Sequence, residues 1–430
     1  MKKITPSETK KQALKELLRG KVGIKDEEGC LSEFIRLSVE KTLQELLEKE
    51  QEETLGRARY ERRGETKVYR NGYEPGRLKT GEGIMEVEKP QIRGLNEPYR
   101  SDIWLRLSRT SEQLRQLIME MYTLGMSTLD VEQALQRALG GFVLSKSSVS
   151  EITQELTVEY EAFKRRDLSG FDVAYLFIDM IYEPLRRYGS KTGVMCCWAY
   201  LTDGGKVLLD MTLGNGESYE LSIDFLRGMV QRGLRTPLSV TTDGAKGLIK
   251  AVEAMWPKSK RIRCWFHKMQ NLQSKVPAKA WHEFKALIED MRDAPTWEEG
   301  QLRMERIVEK YKDLFPEACR CLQEDAEASL NHLLVPVRHR RYVRTTNLVE
   351  RSFVEERRRT KTIPHLWDEK SMVKLCFATM IRVSDRWSQR QFSQQEQNMI
   401  IQLRNQFLGE NTKINEDTIT RKRRSIYRAA

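Results

Sequence analysis

An α/β fold is predicted for the middle of this 430-residue chain, and three observations predict it. Short apolar runs at 173–182, 193–202, 206–213, 237–242 and 260–266 have strand composition, with turn residues such as Gly204-Gly205 between them. The intervals 218–233 and 245–255 carry the helical period instead. Asp179 and Asp243 sit inside or at the end of apolar runs, where an unpaired carboxylate costs roughly several kcal/mol unless it is paired, neutralised or bound to a cation.

Three strands, a helix, then strand, helix and strand is the order of a ribonuclease-H-like sheet. In that order the first and fourth strands are neighbours, so Asp179 and Asp243 are expected side by side. The whole chain is therefore read as an α/β protein: a ribonuclease-H-like catalytic domain with an all-α insertion, preceded by helical and helix-turn-helix DNA-binding regions.

The elements follow in order. Residues 1–56 form an N-terminal helical segment, with stripes at Leu14, Leu17 and Leu18 and then at Phe34, Ile35, Leu43 and Leu47. Residues 57–100 form a basic β-hairpin region, with turn signals at Asn71-Gly72 and Pro75-Gly76 and a strand from Ile84 ended by Pro90. Residues 101–168 form a helix-turn-helix-like region. There one helix, from about Thr110, breaks at Gly125, a second is capped by Ser127 or Thr128 and stopped by Gly140-Gly141, and a third opens at Ser145. Residues 169–276 are the first part of the core, 277–343 the α-helical insertion, 344–410 the catalytic helix and last helices, and 411–430 a basic tail.

Lys and Arg number 74 against 62 Asp and Glu, a net charge of +12 that favours a polyanionic partner. Arginines crowd the stretch from Arg338 to Lys361. Seven scattered cysteines without CxxC spacing point to a reducing compartment. The N-terminus lacks an apolar signal core and no stretch approaches a membrane span, so no membrane partner is expected.

Asp179, Asp243 and Glu350 are the catalytic and metal-binding candidates, a set suited to magnesium-dependent phosphoryl chemistry on nucleic acid. Plainer roles compete: an Asp-Gly turn for Asp243 and a capping-box acid for Glu350. Cys264-x-x-His267 has zinc-like spacing, but a structural site needs four protein ligands and no second pair is evident, so a non-metal role is expected. His267 is a candidate donor to the scissile phosphate, with packing as the alternative. Trp297 is a candidate for base stacking, with a place in a helical core as the alternative. Arg351, Arg357, Arg358 and Arg359 are candidate phosphate contacts, and Lys146, Ser147 and Ser148 candidate contacts of the third helix with DNA.

Taken together, Tyr69-Arg-Asn-Gly-Tyr73, Gly125-Met-Ser127, Asp179 followed by Tyr182 and Arg186, Thr242-Asp243-Gly244 with Gly247, Cys264-x-x-His267 followed by Asn271, and Thr345-Thr-Asn-x-x-Glu350 resemble the Mutator-type DDE transposases of bacterial insertion sequences. The resemblance covers most of the chain. It departs after Glu350, where Arg351-Ser-Phe-Val-Glu-Glu stands in place of Ser-Leu-Asn. It implies a ribonuclease-H-like domain interrupted by helices, with Asp179, Asp243 and Glu350 as the acidic triad holding two Mg2+ ions, for which Mn2+ substitutes. It also implies binding to double-stranded DNA, as terminal inverted repeats and target, by a homodimer or larger assembly in the bacterial cytoplasm at the nucleoid. The alternatives are a ribonuclease-H-like nuclease or resolvase without strand transfer, and a catalytically inactive DNA-binding relative.

Overall fold

A computed structural model describes residues 4–19, 27–61, 67–107, 110–139, 144–184, 191–214, 216, 218–360 and 368–410. The Gly140-Gly141 stop, Arg186 and the basic tail lie outside the described residues. The chain divides into two compact units, Met1–Gln154 and Glu155–Ala430.

In the first unit, α1 (Pro6–Leu18) is opened by a capping box between Thr5 and Glu8 and followed by the long α2 (Glu27–Leu55). Two strands, β1 (Tyr69–Thr80) and β2 (Gly83–Arg93), pair antiparallel. The predicted turns and the predicted stop at Pro90 are overturned. β1 runs through Asn71-Gly72 and Pro75-Gly76, the turn is Gly81-Glu82, and β2 continues past Pro90. A two-stranded ribbon has a free edge on each strand, so a proline without N–H is tolerated. The register slips between Arg70 and Tyr73, where Gly72 takes φ +77°.

Polar side chains on α2 pair with the backbone of β2. Glu86 N donates to Glu40 (3.0 Å), Glu88 N to Gln44 (2.7 Å), and Gln51 donates to Gln91 O (2.9 Å). Beneath them Leu43, Leu47, Leu78, Met85 and Val87 form a small core. A short helix absent from the sequence reading, α3 (Asp102–Arg106), precedes α4 (Glu112–Thr123), α5 (Thr128–Ala138) and α6 (Lys146–Thr153). Ser127 caps α5 and Ser145 caps α6. The three helices close over Leu114, Ile118, Val131, Leu135 and Val149.

The second unit opens with α7 (Glu155–Arg165) and is a mixed α/β structure. Its strands are β3 (Val173–Pro184), β4 (Lys191–Leu201), β5 (Lys206–Gly214), β6 (Ser239–Thr242) and β7 (Lys260–Arg263), in the spatial order β5-β4-β3-β6-β7. β4 runs antiparallel to both β3 and β5, and β6 and β7 join parallel to β3. On one face Leu176, Ile178, Cys197, Ala199 and Leu209 pack with Leu226 and Met229 of α8 (Tyr219–Gln231) and Val252 of α9 (Lys246–Met255). Burial on both faces explains why β3 reads as a continuous apolar run.

β7 ends at Arg263 rather than at the predicted 266, and α10 (Trp265–Gln273) begins at once, so His267 lies in a helix. Then come α11 (Ala278–Arg292), α12 (Trp297–Tyr311), α13 (Pro316–Gln323), α14 (Ala326–Leu330) and a 3-10 turn at Asn331–Leu334. These helices share a core with Trp265 and Leu272 that includes Phe284, Ile288, Met304 and Leu322. Lys268 of α10 is buried and donates to the carbonyls of Cys321 and Glu324 at the end of α13, fastening the helical layer to α10. The chain returns through α15 (Val337–Val343), α16 (Asn347–Thr360), α17 (Glu369–Trp387) and α18 (Gln394–Leu408). α16 packs on β3 and β4, and α17 on β5.

Candidate active site

Alternation along β3 puts Asp179 on the same face as Tyr175 and Phe177, opposite the face of Leu176 and Ile178 that meets α8 and α9. Only 8% of Asp179 is exposed. β3 and β6 pair Tyr175 with Ser239, Leu176 with Val240 and Phe177 with Thr241, and this offset carried two residues on sets Asp243 beside Asp179. Asp243 accepts a hydrogen bond from Ala245 N (3.1 Å), the turn predicted as its plainer role. Gly244 has φ +100°, and a Cβ there would fall 1.5 Å from the Arg263 guanidinium, so any other residue is strained in its backbone and must displace that side chain.

Glu350 reaches this place because the segment before α16 is stitched to the ends of β6 and β7. Thr241 donates to Val343 O (2.7 Å), Trp265 N to Arg344 O (2.9 Å), and Thr346 N to the Cys264 sulfur (3.3 Å). Thr346, fully buried, donates through its hydroxyl to Glu350 Oε1 (3.2 Å). The same hydroxyl is hydrogen-bonded to Asp179 and lies 3.4 Å from the Cys264 sulfur. A hydroxyl carries one hydrogen and two lone pairs. The single hydrogen can therefore serve Glu350 or the Asp179 carboxylate but not both at once, and the lone pairs are left for the Cys264 thiol.

Burial first, and then the neighbouring Asp243 charge, push the Asp179 carboxyl up to about 6, against the Met180 N–H, His267 and Thr346. His267 is raised to about 9, first by hydrogen bonding to Cys264, then, with burial opposing, by Cys264 and the negative potential of Asp179 and Asp243. Its Nδ1 is buried without a hydrogen-bond partner. No ion pair engages Asp179, Asp243 or Glu350 among the described residues. Cys264, His267 and Glu350 each offer a ligand atom within 4.8 Å of the other two.

The remaining candidates fall in different settings. Arg351 and Arg357 are exposed on α16, whereas Glu355 holds Arg358 (2.6 Å) and Arg359 (2.8 Å). Trp297 opens α12 and packs against the helical core, partly buried. Lys146 and Ser147 are exposed on the first turn of α6, and Ser148 is bonded to Ser145. Thr346 and Arg263 were missed in the sequence. The i, i+4 spacing of Thr346 and Glu350 was the available signal for the first.

A family profile described as "Transposase, Mutator family" matches residues 9–390. The chain is 31% identical over 268 residues to the transposase of insertion sequence element IS6120 from Mycolicibacterium smegmatis, covering 62% of this chain and 83% of that protein. It is 28% identical to the transposase of element ISRM5 from Rhizobium meliloti, over 82% of this chain and 88% of the other. To the transposase of IS256 in transposon Tn4001 from Staphylococcus aureus it is 26% identical, over 80% and 88%.

Proposed function

The chain belongs to the Mutator family of transposases, and from that membership we propose that it is a DDE enzyme that binds element ends, cleaves DNA and joins the ends to a target, with Asp179, Asp243 and Glu350 as its catalytic acids. The observation that carries the reading is the convergence of the three: Thr346 bonds to both Asp179 and Glu350, while the charge of Asp243 acts on Asp179. The strand order and the helical stretch before Glu350 support a ribonuclease-H-like core with an all-α insertion.

The residues fit a pair of magnesium ions. Carboxylate oxygens are hard donors, and burial together with the neighbouring Asp243 charge raises the Asp179 carboxyl, a burden that a cation held between the two would relieve. When bound, Mg2+ activates the attacking oxygen and stabilises the leaving one. Asp179, Asp243 and Glu350 would together hold the ions, with Asp179 in its ionised form. His267, raised toward its charged form, is the donor to a non-bridging phosphate oxygen. Arg351 and Arg357 grip the flanking backbone, and α4 to α6 act as a helix-turn-helix reader whose Lys146, Ser147 and Ser148 meet DNA. The working form is a homodimer or larger assembly that holds two ends.

The test is an end-bearing duplex incubated with Mg2+ or Mn2+ and a target plasmid. Asp179→Asn, Asp243→Asn and Glu350→Gln should bind the duplex as the wild type does, yet neither nick nor join it. Cutting at wild-type rates by any of the three overturns the assignment of that acid. Hydrolysis without joining would leave a nuclease, and no cutting with either metal a DNA-binding relative.

A further inference from the structure

Cys264, His267 and Glu350 share one small volume, yet the DDE reading uses only two of them and leaves the thiol without a task. We propose that these three side chains form a site for a thiophilic divalent cation, Zn2+ in particular, distinct from the Asp179–Asp243 pair, and that its occupation withdraws Glu350 and His267 from catalysis. Sequence spacing alone argued against a metal, because Cys264 and His267 supply two ligands. Folding brings Glu350 of α16 in as the third. Three protein ligands with one open position is a recognised zinc arrangement.

The geometry is close to that of a filled site. Zinc–ligand bonds of about 2.0–2.3 Å imply tetrahedral edges of about 3.4–3.8 Å. The ligand atoms here lie within 4.8 Å of one another, so side-chain rotations of about an ångström complete the set. The surroundings are those of a metal thiolate. The Cys264 sulfur already receives the backbone N–H of Thr346 (3.3 Å), and Thr346 also orients Glu350 (3.2 Å), the outer bonds that fix ligands in place. His267 is already hydrogen-bonded to Cys264, and its buried Nδ1 makes no hydrogen bond, so the ring has a nitrogen to spare for an ion. The donor set is selective, since a sulfur ligand favours Zn2+, Co2+ or Cd2+ over Mg2+, whereas Asp179 and Asp243 keep the preference for hard cations.

Zinc at this trio would hold Glu350 away from the carboxylate pair and occupy the imidazole proposed to meet the phosphate. The inhibitory consequence rests on the DDE reading; the binding does not. Metal-free full-length protein is therefore titrated with Co2+ alone and followed by the sulfur-to-cobalt charge-transfer band. One equivalent should develop the band and Zn2+ should bleach it. Cys264→Ser should lose the band, His267→Gln should bind at least about tenfold more weakly, and Asp179→Asn should keep the band.

No band, or one unchanged in Cys264→Ser, overturns the site. Loss of the band in Asp179→Asn does so too, because cobalt would then be reading the carboxylate pair. Should Cys264→Ser fail to fold, undiminished binding by His267→Gln, which retains every cysteine, is the overturning result. In the nicking assay, Zn2+ at saturating occupancy should inhibit the wild type in the presence of excess Mg2+. Cobalt binding without zinc inhibition would overturn the inhibitory half. The titration contains no DNA, so failure of this proposal and failure of the DDE reading are read separately.

Discussion

Asp179 retains a proton that a solvated aspartate gives up. Its pKa of about 6 lies above the ordinary 3.8, so between these values the folded chain binds more protons than the unfolded one and loses stability as pH rises. Above pH 6 the burden reaches its full size, at most about 3 kcal/mol. Asp179→Asn should therefore melt higher than the wild type at pH 7 in chelator, and Mg2+, which should raise the wild-type Tm, should leave the variant unmoved. A variant no more stable than its parent, with the same response to Mg2+, would contradict the account. Metal binding needs the deprotonated form, so Mg2+ affinity should weaken progressively as pH falls below about 6; titration calorimetry at several pH values reads this directly. Thr346 is the other residue on which the cluster turns. Thr346→Val leaves Glu350 and Asp179 without their shared hydroxyl and should cost about 1–3 kcal/mol in stability together with most of the nicking rate. Thr346→Ser, which keeps the oxygen, should restore both.

At the level of elements, β3 and β4 were legible because burial on both faces writes a long apolar run that needs no tertiary information. The end of β7 was not legible. Its run of residues continues as a strand would, but Trp265 N turns to Arg344 O, a partner far away in the chain. The β1–β2 turn was misplaced for a related reason: Asn71-Gly72 and Pro75-Gly76 have turn chemistry, but α2 supplies Glu40, Gln44 and Gln51 to hold the neighbouring strand in line. Asp179 and Asp243 could be foreseen as neighbours from strand order, whereas the link that Thr346 makes from Glu350 to Asp179 is visible only in three dimensions. On α16 the arginines divide by partner. Arg357→Ala should weaken DNA binding and lower the salt slope by about one unit, while Arg358→Ala, already held by Glu355, should do less. Equal effects would show that the Glu355 pairs dissolve on DNA. Gly244→Ala forces a side chain into a left-handed turn and onto Arg263, and should lose stability by more than about 1 kcal/mol with loss of nicking, measured by urea melts and the end-bearing duplex.

For the whole molecule, a net charge of +12 makes a polyanion the natural counterpart, and DNA affinity should fall by orders of magnitude between roughly 50 and 200 mM salt. A flat salt response would argue against phosphate contacts as the main source of binding. No described helix is long and apolar enough to cross a membrane. The helical layer from α11 to α14 has its own core, and Lys268 anchors it to α10 before the chain returns to the strand ends. That return carries a consequence for synthesis. Asp179 and Asp243 leave the ribosome more than a hundred residues before Glu350, and the stitches at Val343, Arg344 and Thr346 wait for the whole helical layer to emerge. A polypeptide ended early by a nonsense codon or a stalled ribosome anywhere up to residue 349 thus holds at most two of the three acids, so on the DDE reading a scissile activity is withheld from every product that stops short of Glu350.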